Sequence, residues 1–118
     1  MLAKTMPDNE RRAVLRQLNI IEMFRELRTT MPLQYIHTFL LVASEEGCSV
    51  GYYATKAQVS PSVMSRHILD IGERNRDRDP GFGLVQTKPN MENLREHVVF
   101  LSPKGKALIS RLARQFDH

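Results

Sequence analysis

Apolar residues recur along the first part of the chain at steps of three and four, the spacing of one face of an α-helix. Asp8 is a suitable N-cap for such a helix, which we predict over residues 9 to about 28. Its row of apolar residues comprises Val14, Leu15, Leu18, Ile21, Phe24 and Leu27, widened by Ile20 and Met23. So broad a surface is buried either entirely within one core or partly against a second copy of the chain.

A second helix is predicted to begin near Pro32, since proline suits the first turn of a helix. Its apolar row is Leu33, Ile36, Phe39, Leu40 and Ala43. The segment Glu45-Glu46-Gly47 ends this helix, because glycine readily adopts the left-handed conformation that follows a helix C-terminus.

A third, short helix is predicted from Val50 to about Gln58, capped by Ser49, with Tyr53, Ala54 and Ala57 turned inward.

A fourth helix begins after a tight turn, with Ser60 as N-cap and Pro61 at the first helical position. It runs to about residue 72 or 73. Met64, His67, Ile68 and Ile71 are expected to face the core, whereas Ser62, Ser65, Arg66 and Asp70 are expected to face outward. Two helices joined by a short turn predict a helix-turn-helix unit.

Two short strands are predicted after this unit, at residues 84–87 and 97–101, with a polar tip at 88–96 between them. Ser102 and Pro103 then repeat the cap of the fourth helix and start a last helix. Its inward residues are predicted to be Ala107, Leu108, Leu112 and Phe116, with Ile109 beside them. The predicted fold is therefore mainly α with a small β-hairpin, a winged helix-turn-helix with N- and C-terminal helices available for dimerisation.

Composition agrees with one small domain. The chain has 118 residues and a net charge of +4, which permits nucleic-acid binding without requiring it. Cys48 is the single cysteine, so no intrachain disulfide forms, and a cytoplasmic location is expected. The sequence contains neither a signal-peptide pattern nor an apolar run long enough for a membrane span.

Catalytic and metal-binding patterns are weak. Cys48 with His37 or His67 is the only conceivable nucleophile and base, and no activating motif surrounds the cysteine. The histidines lack metal-ligand helical spacing, and the glycines form no phosphate-binding loop. We therefore expect no enzyme activity, no cofactor and no metal.

Two segments resemble the MarR-like family of bacterial transcription regulators. Residues 59–68 (VSPSVMSRHI) are similar to the family's recognition helix, and residues 98–109 (VVFLSPKGKALI) to its second wing strand and the following helix. Arg95 stands where the family places the arginine of an Asp-x-Arg wing motif, with Asn93 in place of the aspartate. The resemblance covers about residues 31–112.

The resemblance implies a homodimeric repressor that reads a palindromic operator, with the 60–72 helix in the major groove and the 88–96 wing on the flanking groove. Residues 1–30 would form a dimerisation element together with the C-terminal helix, and residues 31–118 the DNA-binding domain. The expected DNA contacts are Ser60, Ser62, Val63, Ser65, Arg66, Arg74, Arg76, Lys88 and Arg95. The alternative is a winged helix that serves as a protein-interaction module, an adaptor or anti-repressor, since fold alone does not fix function.

Two departures from the family pattern qualify these expectations. About seven extra residues, around 74–81, precede Gly83-Leu84, and their arginines are offset by aspartates, so this loop is either simply solvated or adds phosphate contacts. Only about sixteen residues follow Ser102, which argues against a small-molecule effector pocket of the family's usual kind. Dimerisation would then depend more on the helix at residues 9–28.

Overall fold

The computed structural model describes residues 6–73 and 80–117. Arg74 and Arg76, two of the expected DNA contacts, lie outside the described residues. The helices are α1 Asp8–Arg25, α2 Leu33–Ser44, α3 Val50–Ala57, α4 Pro61–Ile71 and α5 Pro103–Ala113, followed by a 3₁₀ turn at Arg114–Phe116. The strands are β1 Cys48–Ser49, β2 Val85–Asn90 and β3 Asn93–Leu101. Within the described residues, the fold is a set of five α-helices around a small antiparallel sheet, as the sequence pattern predicts.

Helix α1 differs from its prediction at both ends. Its N-cap is Pro7, without a side-chain cap, and Asp8 is the first helical residue, where its charge favours the positive end of the helix dipole. The helix ends at Arg25 rather than near residue 28. Phe24 is completely buried and meets Phe39 of α2 edge to face at 6.0 Å between ring centroids. The inner end of α1 is therefore anchored in the common core, which also contains Met64, Ile71, Leu84 and Val99.

The helix-turn-helix unit forms as its cap residues predict. Gln58 adopts a left-handed conformation with φ of 59°, while Val59 N donates to Ala54 O at 3.0 Å and Gln58 N donates to Thr55 O at 3.2 Å. This pair of bonds is the Schellman arrangement that closes a helix C-terminus. Ser60 Oγ then accepts a hydrogen bond from Val63 N at 3.2 Å and opens α4. Because both ends of the turn are capped, the direction of α4 relative to α3 is fixed locally.

In the part of the chain that the structure describes, the sheet has three strands rather than the predicted two, in the order β1-β3-β2. The additional strand β1 pairs with β3 through Cys48 opposite Val99 and Ser49 opposite Val98. The turn into β1 contains Gly47 in the predicted left-handed conformation, with φ of 87°. The two wing strands are also longer than predicted, which reduces the tip between them to a two-residue turn, Met91–Glu92.

Helix α5 closes the core behind the wing. Ser102 Oγ accepts from Gly105 N at 3.0 Å, the predicted N-cap, and its hydroxyl also donates to Gly83 O. Leu108 and Leu112 face inward as predicted. Ala107 and Phe116 do not, which corrects the prediction for both residues. Phe116 lies beyond the end of the helix in the 3₁₀ turn, where the helical spacing no longer applies, and 59% of its surface is exposed.

Candidate nucleic-acid interface

The outward face of α4 carries the polar residues that the sequence assigns to it. Ser60, Ser62, Ser65 and Arg66 are all exposed. Met64 and Ile68 on the opposite side are buried in the core formed with α2 and α3. A helix held by one face thus presents hydroxyl groups and a guanidinium on the other, and such groups bind phosphate oxygens and base edges.

The prediction that Asp70 faces outward is wrong, because only 8% of its surface is exposed. Its Oδ2 accepts a hydrogen bond of 2.6 Å from the hydroxyl of Tyr35 on α2. A buried carboxylate requires such a partner, because an unsatisfied charge away from water is costly. Asp70 therefore joins α4 to α2 and is not part of the outward face.

Tyr35 is the residue that sequence reasoning missed at this site. Besides its bond to Asp70, its ring meets His67 edge to face at 5.7 Å and Phe82 at 6.2 Å. His67 is half-buried, in agreement with its predicted position on the inner side of α4. The helical spacing of α2 gave no signal for Tyr35, since a tyrosine between two apolar positions fits either face of a helix.

A shallow cavity of about 150 Å³ lies between the start of α2 and the outward face of α4. Gln34, Tyr35, Val63, Arg66 and His67 line it. Val63 is half-buried there, while Gln34 and Arg66 are exposed. The amide of Gln34 and the guanidinium of Arg66 therefore border the same depression on the outward surface.

The wing carries the two remaining expected contacts, both exposed. Lys88 places its Nζ over the Phe100 ring, 4.9 Å from the ring centroid, so its charge is held near the base of the wing. Arg95 lies next to the tip, and its backbone N donates to Asn93 Oδ1 at 3.2 Å. Asn93 thus shapes the turn through its side-chain oxygen, which an aspartate would also provide.

A metal site, a reactive cysteine and a membrane span each require a particular arrangement of residues. Within residues 6–73 and 80–117, no three His, Cys, Asp or Glu side chains approach closely enough to hold a metal ion. Cys48 lies half-buried in β1, and its backbone N donates to the Tyr53 hydroxyl at 3.2 Å. No helix in these residues is both long enough and apolar enough to cross a bilayer.

The arrangement of α3, α4 and the wing also occurs in solved structures. A MarR transcriptional regulator from Methanosarcina mazei Go1 superimposes with a TM-score of 0.63 at 16% identity, over 91% of this chain and 70% of that one. Streptococcus pneumoniae FabT in complex with DNA gives 0.61 at 16% identity, over 92% and 72% of the two chains. The chain has the MarR-type winged-helix fold.

A third structure with this MarR-type fold is PcaV from Streptomyces coelicolor, in complex with its natural ligand. Its TM-score is 0.57 at 15% identity, over 98% of this chain and 78% of that one. No protein-family model and no curated protein sequence matches the chain. The similarity to the MarR-type structures is therefore one of fold.

Proposed function

We propose that this protein is a sequence-specific regulator of transcription that binds double-stranded DNA. The recognition helix α4 would enter the major groove with Ser62, Ser65 and Arg66 toward the bases, and Arg95 of the wing would reach the flanking minor groove. Arg66 is suited to grip guanine O6 and N7 with two hydrogen bonds. Arg95 is suited to a narrow minor groove, whose negative potential attracts a cation.

One observation carries the proposal. The recognition helix is buried along Met64, Ile68 and Ile71, yet its opposite face carries exposed hydroxyl groups and the exposed guanidinium of Arg66. The bond between Tyr35 and Asp70 holds that face in one orientation relative to α2. A rigidly held polar helix face is what direct readout of base edges requires, since each contact depends on a fixed distance to the groove.

We further propose that two copies associate through α1 and the C-terminal segment, with residues 1–30 as the dimerisation element and residues 31–118 as the DNA-binding domain. Four apolar residues of α1 and one near the C-terminus are between 42% and 59% exposed: Val14, Leu15, Leu18, Ile21 and Phe116. Fully burying an exposed side chain of this kind contributes roughly 1.5–3 kcal/mol, and since these are about half exposed, each would contribute about half of that in a dimer. A contiguous apolar surface of this kind marks an interaction site.

The α1 and C-terminal surfaces are already joined within one chain. Asn19 Nδ2 donates to Gln115 Oε1 at 3.2 Å, and Arg111 Nη2 lies 3.1 Å from both carboxylate oxygens of Glu26. The two elements would therefore enter a dimer as one preassembled surface. Such a dimer would act as a repressor at a palindromic operator with half-sites about one helical turn apart.

The experiment that tests the function is selection of bound duplexes from a pool of random DNA, followed by affinity measurements over a range of salt concentrations. We expect an enriched inverted repeat, and an affinity that falls steeply with salt because phosphate contacts release counterions. Enrichment of no sequence, even at low salt, would contradict the proposal and favour the protein-interaction module instead.

A further inference from the structure

The tip of the wing is apolar at the positions that protrude furthest. The side chains of Met91 and Leu94 are 85% and 70% exposed. A turn between two strands needs only polar, turn-forming residues, and these two side chains add nothing to the core of the chain. Their exposure near one turn leaves apolar surface available for contact with another molecule.

The backbone of the tip is fixed rather than loose. Asn90 Oδ1 accepts from Glu92 N at 2.9 Å, and Asn90 Nδ2 donates to Glu96 Oε1 at 3.2 Å. In the strand register, Pro89 pairs with His97 and Asn90 pairs with Asn93, so residues 94–96 form a bulge without partners in β2. Bulges of this kind redirect side chains, and this one carries Leu94.

The charged residues near the tip sum to zero. Lys88 and Arg95 are balanced by Glu92 and Glu96 between residues 88 and 97. A tip with no net charge and with exposed aliphatic side chains is suited to an apolar surface. In a duplex, the apolar surface is the face of a base pair, which is exposed when two neighbouring pairs unstack.

We propose that Met91 and Leu94 form an apolar wedge, which the wing inserts from the minor groove between two base pairs and which thereby kinks the operator. The inference rests on the proposed function, since it requires the wing to lie on DNA. Leucine and methionine are among the side chains that proteins use in this way, and pyrimidine–purine steps are the easiest to open.

The size of the tip favours DNA over a protein partner. A stable protein interface buries roughly 800 Å² on each side. Met91 in the turn and Leu94 in β3 supply only a small part of that area, and the aromatic anchors that usually dominate protein interfaces are missing from residues 88–97. Insertion between two base pairs needs no larger surface.

The test compares the wild type with the double variant Met91→Ala/Leu94→Ala on a duplex that the wild type has selected from random DNA. A fluorescent adenine analogue is placed in turn at each step flanking the recognition-helix contacts. We expect wild-type binding to raise its emission at one step through unstacking, and the double variant to abolish that rise. We also expect the variant to bind about tenfold more weakly, equally at low and high salt, because the lost contact is apolar.

Two controls make the result specific. Leu40→Ala removes a leucine that is 42% exposed on α2, and it should alter neither emission nor affinity. Arg95→Ala should lower the salt slope by about one, unlike the double variant. If the double variant keeps the melting temperature of the wild type and shows the same affinity and emission, the wedge proposal is wrong, while the proposed function still stands. Failure of the wild type to bind any duplex would overturn the proposed function as well.

Discussion

The hydroxyl of Tyr35 on α2 and the carboxylate of Asp70 on the recognition helix are joined by a hydrogen bond of 2.6 Å. The two residues are 35 positions apart in the chain, and Asp70 is almost fully buried. Because the bond lies near the C-terminal end of α4, it restricts rotation of the helix about its own axis. Arg66, one helical turn earlier, is exposed on the outward face of the same helix.

Tyr35→Phe is expected to lower the free energy of unfolding by about 1–2 kcal/mol, since a buried carboxylate loses a donor. It should also weaken binding to the selected duplex while leaving every residue of the outward face in place. Urea unfolding and a binding titration measure the two effects. The matched control is Tyr52→Phe, because Tyr52 donates a bond of equal length, 2.6 Å, to Glu45 Oε1 on the exposed surface. If the two substitutions change DNA affinity equally, the Tyr35 hydroxyl has no specific role in DNA binding.

Arg66→Ala is expected to cost about 1–3 kcal/mol of binding free energy, concentrated at one preferred base pair. The reason is that a bidentate arginine contact discriminates between bases, whereas a phosphate contact does not. Repeating the duplex selection with the variant shows whether one position becomes relaxed. Arg25→Ala serves as the control, since Arg25 is paired with Glu22 on α1 at 2.6 Å. A loss that is uniform over all sequences would demote Arg66 to a phosphate contact.

Leu18→Glu is expected to convert the proposed dimer into a monomer. Leu18 lies on α1 and is 51% exposed, so we expect the isolated chain to tolerate a carboxylate at this position. In the proposed dimer, the same carboxylate would be buried at the interface without a partner, which is costly. Light scattering measures the mass in solution. Leu40→Glu places the same charge on α2, at a side chain that is 42% exposed, and should leave the mass unchanged. A wild type that is monomeric at all accessible concentrations would contradict the prediction.

Gly105→Ala is expected to destabilise the protein by about 2–4 kcal/mol. Gly105 is buried in the first turn of α5, where an added Cβ would collide with the backbone carbonyl oxygen of Leu84 and come within 3.3 Å of the Phe39 ring. Gly51→Ala is the matched control in a helix, because its Cβ would meet nothing closer than Ser49 Oγ at 3.9 Å. Thermal unfolding of both variants measures the difference, and a Gly105→Ala protein as stable as the control would disprove the close approach.

Stability is expected to fall in strongly alkaline solution through Tyr53. Burial, the largest cause, raises the pKa of Tyr53 from 10.0 to about 12. The folded state holds the proton of the Tyr53 hydroxyl more tightly than the unfolded state does. The protonated hydroxyl therefore makes its full contribution to the free energy of unfolding below about pH 10, and this contribution is lost as the pH rises toward about 12. Urea unfolding over this range should show a flatter decline for Tyr53→Phe than for the wild type, although the variant begins from a lower stability. Parallel declines would contradict the assignment.

Local signals determined most of the helices and their boundaries. Ser49, Ser60 and Ser102 each cap the helix that the sequence predicts, because an N-cap bond spans only three residues. Gly47 takes the left-handed conformation for the same local reason. The exposed polar residues of the recognition helix were likewise predictable, since the spacing of one helix separates its two faces. Their roles in binding remain predictions.

Tertiary structure decided the features that depend on distant residues. The strand β1 exists only because Cys48 and Ser49 find an open edge at β3, about fifty residues later in the chain. The wing strands extend beyond their apolar residues because backbone pairing continues through polar ones, which no pattern of hydrophobicity records. A glycine is needed at position 105 because any larger side chain would collide with the carbonyl oxygen of Leu84, which is distant in sequence but adjacent in the fold.

The sequence by itself thus determined a winged helix with a polar recognition helix, because caps, turns and helical spacing act over a few residues. Only the tertiary structure decided that Asp70 faces inward, since an aspartate on a helix is ordinarily solvated unless a partner compensates for its burial. That partner, Tyr35, belongs to another helix. The exposed position of Arg66 thus follows from helical spacing, whereas the inward position of Asp70 depends on its contact with α2.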